Sequence, residues 1–201
     1  MILIIIILIL VFACYLMATN VAYTNGKEYY GSTNFVLPDL GFNLINDQRD
    51  SPILYKVKEL LCIGFLIIFL ISIYGNKKAI YEYFITIGII LFLKNILFSA
   101  TTLPDPSQKC NKFNIFSPHK GSCYDLIIST HTTLIFVALL VIVINHLYSL
   151  SNTLIVVFIN VIIMYLIIAL RQHYTIDIIN ALVYGFLIHH IVSNEIVQLF
   201  L

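Results

Sequence analysis

The stretch "LIVVFINVIIMYLIIALRQHYTIDIINALVYGFL", residues 154–187, is two apolar runs divided by a short polar break. From Leu154 to Leu170 almost every position is apolar, with neither the 3.6-residue period of an amphipathic helix nor the alternation of a half-buried strand. A segment without a polar face does not meet water along its length. About 20 such residues in a helix span the hydrocarbon of a bilayer. Helix is the required form, because an open strand in lipid leaves its backbone N–H and C=O groups unpaired. The break carries Arg171 and His173, and Asp177 follows one turn later. Ionisable groups at membrane depth are expensive, so their presence marks function.

The rest of the chain repeats this pattern. Of its 201 residues, 60% are hydrophobic and only 10% charged, with a mean hydropathy of +0.97 and no tryptophan. Soluble domains carry roughly a quarter charged residues. The net charge of +1 gives no electrostatic case for nucleic acid. Six runs read as membrane helices: Ile2–Met17, about Val57–Tyr74, Ala79 to about Leu97, about Thr132–Tyr148, Thr153–Leu170 and about Tyr174–Val192. The first lacks a basic leader and is long for a signal peptide, so it reads as a retained helix. The expectation is an all-α, polytopic membrane protein, with residues 1–201 forming a single six-helix domain.

Two long loops, about 18–56 and 98–131, alternate with short connections at 75–78, 149–152 and 171–173. Six crossings put both termini on one side, and both long loops and the 171–173 turn on the other. The starts of the fourth and sixth helices then share one membrane face. Lys77 and Lys78 in a short connection favour a cytoplasmic side for the termini.

Four polar stretches hold the candidate chemistry. In "HYTID", His173 and Asp177 are four residues apart and share one helix face. A carboxylate that accepts the proton of one imidazole nitrogen leaves the other nitrogen a better nucleophile or base. The alternative is an interfacial histidine beside an aspartate favoured by the helix dipole. In "CYDLIISTHTTLI", residues 123–135, His131 follows Ser129 and Thr130 at a helix start, suited to acid–base work or simply part of a capping segment. In "KNILFSATTLPDPSQKC", residues 94–110, prolines end the helix. Lys94 lies inside it as a phosphate ligand or as a partner of Glu82 or Asp125, and Thr101 and Thr102 are phosphate donors or loop caps. The fourth stretch, "VLPDLGF" at 36–42, reads as a turn on the membrane surface.

Together these stretches resemble the sphingomyelin synthase family, which is related to the type 2 phosphatidic acid phosphatases. The first family motif is matched by Leu37, Pro38, Asp39 and Phe42, and the second by Lys94, Thr101, Thr102, Leu103, Pro104, Pro106 and Cys110. Cys123, Asp125, Ser129, His131 and Thr132 match the third, and His173, Tyr174, Thr175 and Asp177 the fourth. Tyr124 and Thr130 stand where the third motif has glycines, and Lys94 stands where the second has arginine. The arginine that the phosphatase signature places before its last histidine is absent, and Ile167 occupies its position, which weighs against a lipid phosphatase; the alternatives are a lipid phosphatase or phospholipase C-like hydrolase of the same fold, and a non-catalytic lipid-binding membrane protein.

The resemblance implies a six-helix bundle that moves a phosphorylated headgroup from phosphatidylcholine or phosphatidylethanolamine to ceramide, releasing diacylglycerol, with no metal and no cofactor. It implies His173 as nucleophile, Asp177 as its orienting partner and His131 as acid and base. Lys94, Arg171, Thr101, Thr102, Asp125, Ser129 and Tyr174 are the expected substrate and phosphate contacts, Arg171 without a counterpart in a family motif. It also implies an endomembrane or plasma-membrane location with a lumenal or exoplasmic site. A disulfide between Cys110 and Cys123 would close the second long loop in an oxidising compartment; the alternative is two free thiols. Cys14 and Cys62 read as packing residues, and no Cys or His pair has zinc spacing. His146, His189 and His190 read as interfacial, Asn160 as a donor between helices, and Asn180 as lining the His173 cavity.

Overall fold

A computed structural model describes residues 2–30, 36–108 and 124–199. Its elements are α1 (Ile2–Tyr30), α2 (Leu40–Leu44), α3 (Pro52–Ser72), α4 (Lys77–Ala100), α5 (Thr130–Ile144), α6 (Leu150–Ala169) and α7 (Thr175–Ile191). A π-helical turn, Val192–Ile196, and a 3₁₀ turn, Val197–Leu199, follow. Helix is the main regular structure among the described residues, with no strand among them. Each of the six apolar runs forms one long helix.

Helix starts are written in local chemistry. Side chains of Ser51, Asn76, Ser129 and Ser149 each accept from a backbone N–H three residues on, which satisfies a first-turn donor. Pro52 adds a preset φ at the first position of α3. Among the described residues, four helices are long and apolar enough to cross a membrane: Ile5–Tyr30, Lys77–Ala100, Leu150–Ala169 and Thr175–Ile196. The other two differ for identifiable reasons. α3 has 21 residues but carries Lys56, Lys58 and Glu59 in its first turns. α5 has only 15 residues, because Asn145 ends it by turning its amide to the Val141 carbonyl and to Glu82.

The helices pack around Phe65, Phe69, Tyr83, Ile87, Ile135, Val141, Ile163 and Ile167. Small residues set the close approaches: Gly185 meets the Phe136 ring, and a Cβ there would sit 2.8 Å from it. Large apolar side chains such as Leu10, Ile67, Phe158 and Phe186 point outward, as lipid-facing surfaces do.

Two readings of the sequence change. The first long connection is not a loop from residue 18, since α1 runs on to Tyr30 and α2 occupies 40–44. The α1 extension is held by tertiary contacts. Ala18 and Ala22 are buried with Phe98 and Tyr124, and Tyr30 donates to the Thr102 carbonyl at 3.0 Å. Gly26 lies flat under the Tyr124 ring, where a Cβ would come within 2.4 Å. The second change concerns polar groups read as interfacial or interhelical. His189 is 1% exposed, beside the fully buried Glu82, which accepts from Asn145 and Ser193. Asn160 donates to Val156 in its own helix rather than across helices.

Alternating helix direction gathers one end of every long helix. Lys58 near the start of α3 reaches His131 at the start of α5, and Lys94 near the end of α4 reaches Thr130. The Gln48 N–H donates to Ala169 at the end of α6, and the Ser129 N–H donates to Asp177 at the start of α7. The polar site is built at this end.

Candidate active site

The centre of the site is the start of α7. His173 Nδ1 lies 3.1 Å from Asp177 Oδ2, and the carboxylate is fully buried. The same Oδ2 accepts from the Tyr174 N–H at 3.1 Å, while Oδ1 accepts from the Ile127 N–H at 2.9 Å. Three donors therefore converge on one carboxylate. The bond to Asp177 puts the imidazole proton on Nδ1 and leaves Nε2 with a free lone pair.

The turn that leads into α5 is bent around this carboxylate. Ile127 has φ +77, a conformation in which a β-branched side chain is strained. Its N–H is taken by Asp177 and its carbonyl by Asn180 Nδ2, at 2.9 Å each, which holds the strained geometry. Asn180 thus supports the loop through its amide. Tyr124 has φ +66, at one of the two positions where the resembling motif has glycine. The left-handed backbone explains the glycine preference there, and burial of the Tyr124 ring against α1 offsets the strain.

His131 stands one residue inside α5, with its side chain 35% exposed and His173 within electrostatic reach. Its Nε2 lies 3.3 Å from Lys58 Nζ and 3.6 Å from Glu59 Oε1. Lys58 is fully buried and bridges to Glu59 at 2.5 Å. Lys58 and Glu59 are absent from the sequence-derived candidates. The available signal was three charges in the first turns of an otherwise apolar run, which the sequence alone presents as an interfacial boundary.

The other expected contacts fall into place differently. Lys94 is 1% exposed, 2.5 Å from both Asp125 Oδ1 and Thr130 Oγ1. Thr130, in place of the motif's second glycine, supplies the hydroxyl. Asp125 also accepts from Tyr15 at 2.8 Å. Ser129 caps α5 and accepts from the Thr132 hydroxyl at 3.0 Å. Thr101 ends α4 with an exposed side chain, and Thr102 contributes its carbonyl to Tyr30. Tyr174 donates to the Pro104 carbonyl at 3.0 Å and accepts from the Leu37 N–H at 3.2 Å. Its hydroxyl thus ties three motifs together.

Arg171 has φ +53, and its Nη2 donates to the carbonyls of Phe42 and Ile45 at 3.1 and 3.0 Å. Its guanidinium covers the Phe42 ring at 4.2 Å. Nη1 is buried with no hydrogen-bond partner among the described residues. In the adjoining loop, the hydrogen bond from Arg49 holds the Asp47 carboxyl below its usual range. Asp39, on the sequence a turn residue and part of the first family motif, accepts from the Thr175 N–H at 2.7 Å and the Thr175 hydroxyl at 2.6 Å, and caps α2 through Phe42. Cys110 and Cys123 lie outside the described residues; Cys14 and Cys62 are free thiols.

Residues 122–194 match the family described as PAP2 superfamily C-terminal. The matched segment runs from the approach to α5 through α7 and contains both histidines and Asp177. The match supports the PAP2 superfamily, whose members act on phosphate esters as phosphatases or phosphotransferases, and a membrane helical bundle. It does not single out sphingomyelin synthases. No curated protein and no solved structure matches the chain. The PAP2-like segment holds the proposed nucleophile and acid, while Lys58 and Asp39, which contact it, lie outside the match.

Proposed function

We propose that the protein is a sphingomyelin synthase-like headgroup transferase, acting at the lumenal or exoplasmic face of an endomembrane or plasma membrane. The observation that carries this reading is His173, its Nδ1 held by the buried Asp177, on a helix start joined by the Ser129–Asp177 backbone bond to the start that bears His131. His173 Nε2 attacks the phosphorus of phosphatidylcholine or phosphatidylethanolamine. The P–O bond breaks, His131 protonates the departing diacylglycerol oxygen, and the headgroup phosphate rests on His173. His131 then takes the proton of the ceramide hydroxyl, whose oxygen attacks phosphorus and frees His173. The unpartnered Nη1 of Arg171 is suited to a phosphoryl oxygen, and Lys94 adds positive potential beside Asp125.

Two further features support a lipid substrate and transfer over simple phosphatase chemistry. An apolar groove of about 630 Å³ between α3 and α6 begins at Leu60 and Leu61, immediately after Glu59. A lipid with its headgroup at the histidines meets apolar wall for a tail. Ile167, at the position of the phosphatase arginine, is fully buried in the core and offers no charge.

The test is a product assay. Purified protein in vesicles of phosphatidylcholine and phosphatidylethanolamine receives fluorescent ceramide. The expected result is a new phosphosphingolipid with equimolar diacylglycerol, the headgroup naming the donor. Diacylglycerol with soluble headgroup phosphate and no new sphingolipid would make the protein a hydrolase.

A further inference from the structure

Lys58 has no part in the chemistry so far, yet it is placed unlike any surface lysine. Its ammonium is fully buried, 2.5 Å from the Glu59 carboxylate and 5.1 Å from the centre of the Tyr55 ring. A buried cation requires such a counterion. Its remaining close contact is His131 Nε2 at 3.3 Å. Glu59 Oε1 lies farther from the same nitrogen, at 3.6 Å, and is engaged by the ammonium itself, so Lys58 makes the closer contact with Nε2. An ammonium has donors only. His131 Nε2 must then be the bare, accepting nitrogen, and the proton of the neutral ring sits on Nδ1. This is the same tautomer as His173, reached by the opposite means: a donor on Nε2 instead of an acceptor on Nδ1.

We infer that Lys58 is the proton reservoir behind His131, a positioning residue that fixes the Nδ1–H tautomer and replaces the proton it gives up. The inference rests on the transferase reading above. As the P–O bond breaks, its electron pair leaves with the alcohol oxygen, which takes the Nδ1 proton. Lys58 gives one proton to Nε2 and becomes a neutral amine beside Glu59, while the ring stays neutral with its proton moved to Nε2. In the second half, the acceptor hydroxyl returns a proton to Nδ1 as its oxygen bonds phosphorus. In the same step Nε2–H passes its proton back to Lys58. Nothing is oxidised or reduced, and both groups end as they began. With both transfers concerted, the ring stays neutral throughout.

Two measurements test this, the first independent of turnover. In protein ¹⁵N-labelled at histidine, the His131 resonances are expected to show a protonated Nδ1 and a bare Nε2. In Lys58→Met the proton is expected on Nε2, where Glu59 can draw it. A protonated Nε2 in the wild type, or a ring unchanged in Lys58→Met, overturns the inference.

The second measurement compares leaving groups in a single turnover. A phospholipid leaves as an alkoxide and needs a proton, whereas a p-nitrophenyl ester of the same headgroup phosphate leaves as a stable phenolate. Lys58→Met is expected to slow the lipid donor by about 100-fold, within the range of general-acid effects, and the nitrophenyl ester by less than about threefold. Lys58→Arg, which can donate to Nε2 but does not release its proton, should keep the wild-type tautomer and stay slow on the lipid. Equal losses on both esters would make Lys58 a packing residue. Wild-type protein that turns over neither ester would defeat the transferase reading, and the tautomer measurement would still decide the role of Lys58.

Discussion

His173→Ala protein is expected to lose at least about 1,000-fold in headgroup transfer, because deletion of a nucleophile removes the covalent route and the residues around it act as a unit. The fold should survive. The imidazole is 11% exposed, and its one described bond is to Asp177, which keeps two backbone donors without it. Circular dichroism and the melting midpoint should stay close to wild type while product formation disappears. His131→Ala should fall by about 100- to 10,000-fold, the scale of acid–base assistance, and a phenolate leaving group should recover part of that loss. Activity near wild type in purified His173→Ala would remove the nucleophile assignment.

Asp177 carries more than chemistry. It orients His173, closes the first turn of α7 through Tyr174 and anchors the strained Ile127. Asp177→Ala leaves two backbone N–H groups without their acceptor, at roughly 1–3 kcal/mol each. The expected result is a fall in melting midpoint of roughly 5–15 °C together with loss of activity. Asp177→Asn separates the two roles. Its amide oxygen can still accept, but its NH₂ must face one of the three donors, and the His173 tautomer is no longer enforced. We expect it to remain folded and to lose about 10,000-fold in activity, the effect of a wrong imidazole tautomer. An Asn variant with full activity would show that the carboxylate is only a structural anchor.

What could be seen in the sequence and what could not follow from the range of each interaction. The six long helices were legible because lipid removes the need for a polar face, so apolar runs such as 154–170 announce themselves. The His173–Asp177 pair was legible because four residues on a helix are a local distance. The α1 extension was not, since polar positions such as Thr19, Asn20 and Lys27 look like a loop until Tyr124 and Thr102 are seen packing against that helix. Asp39 and Thr175 meet across 136 residues of chain, and Lys58 and His131 across 73. Such pairs have no spacing to read, and only the alternation of helix direction brings them together. The positive φ of Tyr124 shows a further limit: its departure from the motif read as a loss of a glycine, and the structure shows the same backbone kept with a different residue.

The central claim is a headgroup phosphate held on His173. Purified protein would be mixed with a phospholipid donor labelled in its headgroup phosphate, with no acceptor, then quenched in alkali and digested. The account predicts label on the peptide carrying His173, stable to alkali, lost in acid, discharged by added ceramide and absent from His173→Ala. Label that persists in His173→Ala, or transfer to ceramide with no protein-bound label at any time, would contradict it.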